Sequence, residues 1–327
     1  MEKVCVIGNL NVDLVMGSLN HAPEWGKEKM VEYCQLRVSG QVGYVASALA
    51  SLGVEVNVIA NVGDDYYGKF ILEKMKKSKI NTEGIAKVKG SSTGITVSLV
   101  NTEGERALIS YLGSMEYFNE KDIRKSWRLI EECRYIIFNG YFLLPNLKFN
   151  EIQQILAELQ NSGKIIVLDT GWDPSNWPKE HIKEIKGLLE YTDIFLPNLD
   201  EAEAIVKNKD LAMILNTLTQ WGPPVVAVKM GKEGCIAIKD GKVYKQPSFK
   251  VKVTDTTGAG DTFNAGFIYG LIKEWDFEKS LQFANALASL YIRNEGKEYS
   301  SVEIEKIIKL IELNNPNLSE QIRTIKN

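Results

Sequence analysis

The chain has 327 residues, of which 44% are hydrophobic and 25% charged, and its formal net charge is −3. This composition fits one large α/β domain or two small ones, and it lacks the basic excess of proteins that bind nucleic acid or anionic membranes. No apolar run approaches the roughly 18 residues of a membrane span. The first residues lead directly into a strand pattern, so we expect no signal peptide.

Cysteine and histidine are both scarce in this sequence. The four cysteines are far apart and three lie in apolar contexts, which predicts free, buried thiols in a reducing, cytoplasmic environment. The two histidines lie in polar surroundings, so a zinc site or a histidine-based chemistry has little support. Any acid–base role therefore falls to carboxylates.

The N-terminal part predicts a buried strand over residues 3–8, followed by polar residues that include Asn11 and Asp13. Open α/β sheets bind ligands at the carboxyl ends of their strands, although Asn and Asp are also common in turns. Residues 14–38 alternate loosely around a proline and a glycine, which predicts short strands and a loop. The stretch from Ser39 to Tyr44 leads into a helix over 45–52.

The rest of the chain alternates between strand and helix patterns. Two strands joined by a glycine-containing turn are predicted over 94–100 and 106–111. Further strands are predicted over 54–60, 135–138, 164–168, 193–196, 225–229 and 235–239, and helices over 65–77, 149–160, 179–190 and 276–292. This alternation indicates a mostly parallel sheet with helices on both faces. No repeat or linker divides the chain, so we expect a single domain over 1–327.

The most informative stretch runs from Asp255 to Phe263 and contains Gly258, Ala259 and Gly260 in succession. Small residues before a helix let a ligand approach the backbone, and the free amides at a helix start form an anion site. Asp261 follows directly. It is explained either by the preference for Asp in a first helical turn or by a base that acts beside a transferring phosphoryl group. The stretch is neither a Walker A loop nor a complete dinucleotide fingerprint.

Residues 255–263 resemble the C-terminal signature of the ribokinase-like (PfkB) carbohydrate kinases, and the resemblance extends over nearly the whole chain. It implies a three-layer α/β/α fold with a small β-sheet lid, built from segments at roughly 14–38 and 94–113. It also implies that Asp261 is the general base and that the backbone of 258–261 is the anion hole for the γ-phosphoryl group of ATP. The implied substrate-binding residues are Asn11, Asp13, Gly40, Gln41, Tyr44 and Tyr141.

The resemblance also assigns the nucleotide and metal sites. The implied nucleotide-binding residues are Asn198, Lys229, Gly231, Gly234, Thr256, Gly258, Gly260 and Asn285. Asn198 and Glu201 have the spacing of a helix capping box, and the resemblance gives them a second role in holding Mg²⁺, through water. Asp255 and Thr257 correspond to ligands of a monovalent cation in some family members. The other half of that site, around 293–296, matches less well, so a potassium site stays open.

The sugar half departs from the family pattern at three places. Ser39 precedes Gly40 where two glycines are usual, Tyr44 replaces an Asn that reads the sugar, and Tyr141 replaces an acidic residue. Two aromatic side chains predict a flatter, less polar pocket, unless Tyr44 turns away. Arg106 is within reach of a substrate anion or is solvated on the lid. Ribose is therefore not the first choice of substrate.

The leading hypothesis is an ATP- and Mg²⁺-dependent kinase that acts on a small carbohydrate. One alternative is a nucleoside kinase of the same fold, with Tyr44 stacked on the base. The other is a non-catalytic sensor of a sugar or a nucleotide, against which the intact Asp261 argues. The lid strands have edges that predict a homodimer through the lid.

Overall fold

The computed structural model describes residues 2–293 and 303–314. Its strands are β1 Lys3–Gly8, β2 Asn11–Leu19, β3 Tyr33–Ser39, β4 Glu55–Gly63, β5 Asn81–Val88, β6 Ile95–Asn101, β7 Arg106–Tyr111, β8 Tyr135–Asn139, β9 Ile165–Asp169, β10 Ile194–Phe195, β11 Val225–Lys229, β12 Cys235–Lys239 and β13 Lys242–Gln246. Its helices are α1 Gly40–Ser51, α2 Tyr66–Lys77, α3 Glu120–Lys125, α4 Trp127–Glu131, α5 Phe149–Asn161, α6 Lys179–Leu189, α7 Leu199–Val206, α8 Leu211–Gln220, α9 Ala259–Ile272, α10 Phe277–Arg293 and α11 Ile304–Asn314.

The main sheet has nine strands in the order β13-β12-β11-β10-β9-β8-β1-β4-β5. The pairs from β11 through β5 are parallel, and β12 and β13 add two antiparallel pairs at one edge. Apolar residues on the two faces form separate core clusters. One cluster includes residues of α1, α2, α9, α10 and α11, and the other includes residues of α3 to α8. The predicted three-layer α/β/α architecture is confirmed.

A second sheet of four strands, in the order β3-β2-β6-β7, is the predicted lid. β2 begins at Asn11, so this strand carries Asn11 and Asp13 into the lid. β7 is an edge strand, and all six of its residues are exposed. The homodimer through the lid stays a prediction.

Several local features differ from the sequence-based expectation. α1 begins at Gly40, five residues before the predicted start, so Gln41 and Tyr44 lie on its first turns. The early start follows from Gly40, whose φ of +74° and lack of a side chain let the chain turn closely over Asn9. The strands β5 and β13 and the helices α3, α4, α8 and α11 were not predicted. Cys34 is exposed, whereas Cys5, Cys133 and Cys235 are buried free thiols.

The position of the candidate site follows from the topology. β1, β8 and β9 are neighbours in the main sheet, and their last residues, Gly8, Asn139 and Asp169, lie in register. The parallel strands end at this edge, where α/β sheets bind ligands. Within the described ranges, no helix is long and apolar enough to cross a membrane.

Candidate active site

The predicted anion site lies at the start of α9. Gly258 caps this helix with a φ of +76°, which L-residues with a side chain rarely adopt. A Cβ on Gly258 would lie 2.8 Å from a ring carbon of Tyr44, so only glycine fits here. The first turn of an α-helix leaves amide groups without intrahelical partners, and the helix dipole adds partial positive charge. This turn can therefore hold an anion.

Asp261 lies in that first turn and is half-buried. Burial, reinforced by the nearby carboxylate of Asp169, raises the pKa of Asp261 to about 7. The charges of Lys229 and Arg106 act in the opposite direction, as does a hydrogen bond with the Gln41 side chain. A carboxyl group with a pKa near the working pH is suited to accept a proton in the reaction.

A buried ion pair lies beneath the start of α9. The Lys229 ammonium donates to Asp169 Oδ2 at 2.6 Å and to Asn264 Oδ1 at 3.2 Å. The Asn264 amide also donates to Asp169 Oδ2, at 2.5 Å. Burial alone would lower the pKa of Lys229, but Asp169 and Glu201 raise it above its ordinary value. Burial works against ionisation of Asp169 as well, yet the Lys229 charge holds its pKa below the usual range.

This network places a fixed positive charge at the start of α9. Lys229 Nζ lies 3.5 Å from the point that a Cβ on Gly260 would occupy. Sequence reasoning identified Lys229 but missed Asp169 and Asn264. Two signals were available, because Asp169 ends a core strand and Asn264 follows Asp261 by three residues on the same helix face.

The sugar-side residues Asn11 and Asp13 are both buried on β2. The Asn11 amide donates to Thr96 Oγ1 at 3.0 Å, and its distance to Asp13 Oδ1 is 3.5 Å. The Tyr44 hydroxyl donates to Asp13 Oδ2 at 2.6 Å. Burial raises the pKa of Asp13, and the hydrogen bonds from Ser39 and Tyr44 oppose that shift. The structure thus brings these polar residues together as predicted.

Tyr44 has a different role from the one expected. Its side chain is buried, it meets Tyr291 edge to face, and it lies under Gly258. The prediction of an open aromatic face at Tyr44 was wrong, because the ring packs below the anion loop and the hydroxyl holds Asp13. Gly40 lies beside it, and a Cβ there would come within 2.3 Å of the Asn9 carbonyl oxygen.

Tyr141 does not join this group. Its hydroxyl donates to Glu184 of α6 at 3.0 Å, and its ring packs against the core cluster on the α6 side of the sheet. Tyr44 and α9 belong to the cluster on the other side. The expectation that Tyr141 lines the same pocket as Tyr44 is therefore not supported. The side chain follows the packing of α6, which the local sequence does not reveal.

Asn198 and Glu201 form the predicted capping box at the start of α7. The Asn198 amide donates to Glu201 Oε2 at 2.9 Å, and the Glu201 amide donates to Asn198 Oδ1 at 2.8 Å. Burial, together with the Asp169 charge, raises the pKa of Glu201 to about 7. Among the described residues, no group of three or more His, Cys, Asp or Glu side chains could hold a metal by itself. The carboxylate of Asp169 nevertheless repels those of Glu201 and Asp261. A Mg²⁺ ion bound to phosphates would offset this repulsion, so the residues fit such an ion.

Three further residues of the predicted nucleotide site, Gly231, Gly234 and Asn285, have structural roles in the fold. Gly231 and Gly234 bound the turn between β11 and β12, and a Cβ on Gly234 would lie 2.0 Å from the Gln246 carbonyl oxygen. The Asn285 amide donates to that same carbonyl at 3.2 Å. Contacts with a nucleotide stay predictions for these three residues.

Lid side chains reach the loop that precedes α9. The Arg37 guanidinium of β3 donates to Asp255 Oδ2 at 2.8 Å, and the Thr257 amide donates to Asp255 Oδ1 at 2.8 Å. Arg106 of β7 donates to Thr256 Oγ1 at 2.9 Å, so it is not simply a solvated residue. With a guanidinium already on Asp255, the residues present do not fit a monovalent cation. Residues 294–296 of the expected cation site lie outside the described ranges.

Comparison with known proteins shows the family of this chain. Residues 1–304 match the model of the pfkB family carbohydrate kinases. The chain is 26% identical to the ribokinase of Bacillus subtilis over 298 residues, which is 91% of this chain and 95% of the relative. It is 25% identical to the 5-dehydro-2-deoxygluconokinase of Clostridium perfringens over 295 residues, which is 87% of each chain.

Among solved structures, a provisionally named ribokinase II from E. coli in complex with ATP and Mg²⁺ superposes with a TM-score of 0.84. The identity is 20%, and the match covers 96% of this chain and all of the other. This likeness shows the ribokinase-like fold. Together with the family match over residues 1–304, it identifies the chain as a sugar kinase that belongs to the pfkB family of carbohydrate kinases.

Proposed function

We propose that this protein transfers the γ-phosphoryl group of ATP to a hydroxyl of a small carbohydrate, with Asp261 as the general base. The observation that carries the proposal is the position of Asp261 in the first turn of α9, directly after the glycine cap, with burial raising its pKa to about 7. A pure binder gains nothing from a carboxylate beside an anion site. A base that deprotonates an acceptor hydroxyl needs it there.

The residues of the site divide the work as follows. Asp261 accepts the proton of the acceptor hydroxyl, while the amides of residues 258–261 donate to the oxygens of the transferring group. Lys229, 3.5 Å from the Cβ position of Gly260, adds positive charge below that turn. Asn11 and Asp13 orient the sugar hydroxyls, and Tyr44 fixes the carboxylate of Asp13. ATP supplies the phosphoryl group, and Mg²⁺ bound with it neutralises the phosphate charge.

The supporting comparisons are the family match and a structural neighbour that binds ATP and Mg²⁺. The curated relatives act on different substrates, ribose in one case and 5-dehydro-2-deoxygluconate in the other. They therefore support the reaction type and leave the sugar open. The nucleoside-kinase alternative depended on Tyr44 stacking against a base. Tyr44 is buried with its hydroxyl on Asp13, so nothing in the site favours that alternative.

The test is ADP release by the purified protein with ATP and Mg²⁺, over a panel of sugars, sugar acids, sugar phosphates and nucleosides. Asp261→Asn runs in parallel on every compound. We expect strong turnover on one carbohydrate that disappears in the variant. ATP binding without turnover on any compound of the panel would contradict the kinase proposal and favour the sensor.

A further inference from the structure

The Arg37–Asp255 ion pair joins the lid to the anion-site loop. Arg37 lies on β3, directly opposite Asp13 of β2 in the antiparallel register. Its guanidinium donates to Asp255 Oδ2 at 2.8 Å, and the side chains of the two residues are only 10% and 2% exposed. A second guanidinium nitrogen donates to Gln35 Oε1 at 2.5 Å. Both terminal nitrogens of the guanidinium group are thus held by hydrogen bonds.

The loop before α9 needs a positive charge beside Asp255. Asp255 is buried and stands only three residues before Gly258, the cap of the helix that forms the anion site. A buried carboxylate without a partner cation is costly. Its charge would also oppose the binding of a phosphoryl group by the neighbouring amides. Some cation must therefore accompany Asp255 whenever the site holds a phosphate.

The arginine supplies that charge in place of a free ion. Burial by itself would lower the pKa of Arg37, but the hydrogen bond and charge of Asp255 keep it above its ordinary value, so the guanidinium stays protonated. A potassium ion on Asp255 would lie next to a second positive charge.

We propose that Arg37 is the built-in cation of the anion-site loop, so that this kinase works without a monovalent cation. Only the expected changes in kcat rest on the proposed function. Arg37 acts as a positioning residue, because it contacts Asp255 and not the reacting atoms. Further lid contacts, from Arg106 to Thr256 and from Ser98 to Thr257 at 3.4 Å, seat the same loop against the lid.

The test compares the wild type with Arg37→Met, which removes the charge at similar length, and with Arg37→Lys, which keeps it. Lys27→Met is the matched control, since Lys27 is an exposed lysine between β2 and β3 that pairs with Glu24. Melting temperature and kcat are measured in tetramethylammonium, potassium and low guanidinium chloride at constant ionic strength. The melting series requires no substrate, so it decides the inference even if the proposed reaction is wrong.

The wild type and Lys27→Met should show the same melting temperature and kcat in potassium and in tetramethylammonium. Arg37→Met should lose about tenfold or more in kcat without an added cation. Potassium or guanidinium should restore part of that loss and raise its melting temperature, and Arg37→Lys should behave more like the wild type.

Three results would overturn the inference. The first is a wild type that potassium specifically activates or stabilises. The second is an Arg37→Met protein that keeps full activity in tetramethylammonium. The third is a loss in Arg37→Met that neither cation reduces. If a variant fails to fold, the comparison of wild-type melting in potassium and in tetramethylammonium still supports or overturns the inference.

Discussion

The Lys229–Asp169 pair offers a sharp test of how the site is held together. Lys229→Met would leave Asp169, whose side chain is 2% exposed, with two donors among the described residues, the Asn264 amide and the Gly171 backbone amide. Removing one partner of a buried ion pair costs about 3–5 kcal/mol because the other charge stays buried. For a chain of this size, about 2 °C of melting temperature corresponds to 1 kcal/mol, so the expected loss is about 6–10 °C.

The assay is a double-mutant cycle read by thermal and denaturant unfolding of the ligand-free protein. Lys229→Met, Asp169→Asn and the double variant are compared with the wild type. The double variant should recover much of the loss of Lys229→Met, with a coupling free energy of about 2 kcal/mol or more. Additivity within about 0.5 kcal/mol would refute the reasoning, since independent residues behave that way. Because Asp169 has a lowered pKa in the folded state, its contribution should be present near neutral pH and be lost in acid.

Four further predictions follow from named contacts and pKa shifts. Tyr44→Phe removes the hydrogen bond to Asp13 and should raise the KM for the sugar about tenfold, which corresponds to about 1.4 kcal/mol, whereas the KM for ATP should hardly change. Equal changes in both constants would contradict this. Gly258→Ala should lower kcat sharply, because its Cβ would meet the Tyr44 ring at 2.8 Å, and normal kcat would disprove the anion-site geometry. Burial raises the pKa of Asp261 and Glu201 to about 7, so kcat/KM should rise with pH through that value as Asp261 loses its proton, and Glu201→Gln should keep this rise. The free energy of unfolding of the ligand-free protein should fall as pH rises from about 4 to 7, because both carboxyl groups hold their protons more tightly in the folded state. The fall should be smaller in Glu201→Gln, which has lost one of these groups. A wild-type stability that does not change over this pH range would refute both pKa shifts.

Most of the fold could be predicted from the sequence because its signals are local. The alternation of strands and helices predicted the parallel main sheet, and the glycine turn between 94–100 and 106–111 predicted the second half of the lid. The capping box at Asn198 and Glu201 was predicted from a spacing of three residues. Such patterns depend only on helical and strand periodicity. The strand β5 was missed, and its Thr82-Glu83-Gly84 segment lacks the β-branched alternation of a typical strand.

The candidate site was predicted only in part. Asp261, Gly258 and Asp13 follow from a continuous motif and from a strand end, and the structure brings all three to one region. Arg37 was missed because its partner, Asp255, is 218 residues away in the sequence. No local pattern reports such a pairing.

The two tyrosines show a different limit of sequence reasoning. Tyr44 and Tyr141 were both expected to offer an aromatic face. Tyr44 instead holds Asp13, and Tyr141 donates a hydrogen bond to Glu184 on the opposite side of the sheet from Tyr44. In both cases the sequence shows that the residue is a tyrosine but not which way its ring points. Its orientation was decided by which helix packs against it, and that is a tertiary property.

The central claim is that Asp261 is the base at a phosphoryl-transfer site. The most direct measurement compares kcat and the Kd for ATP in Asp261→Asn and in the wild type, once the substrate panel has supplied an acceptor. The account predicts a fall in kcat of at least ~10²-fold, the usual scale for a general base, with ATP bound equally well or more tightly because a negative charge has been removed. Turnover within a few-fold of the wild type, with the acceptor still phosphorylated, would contradict the account.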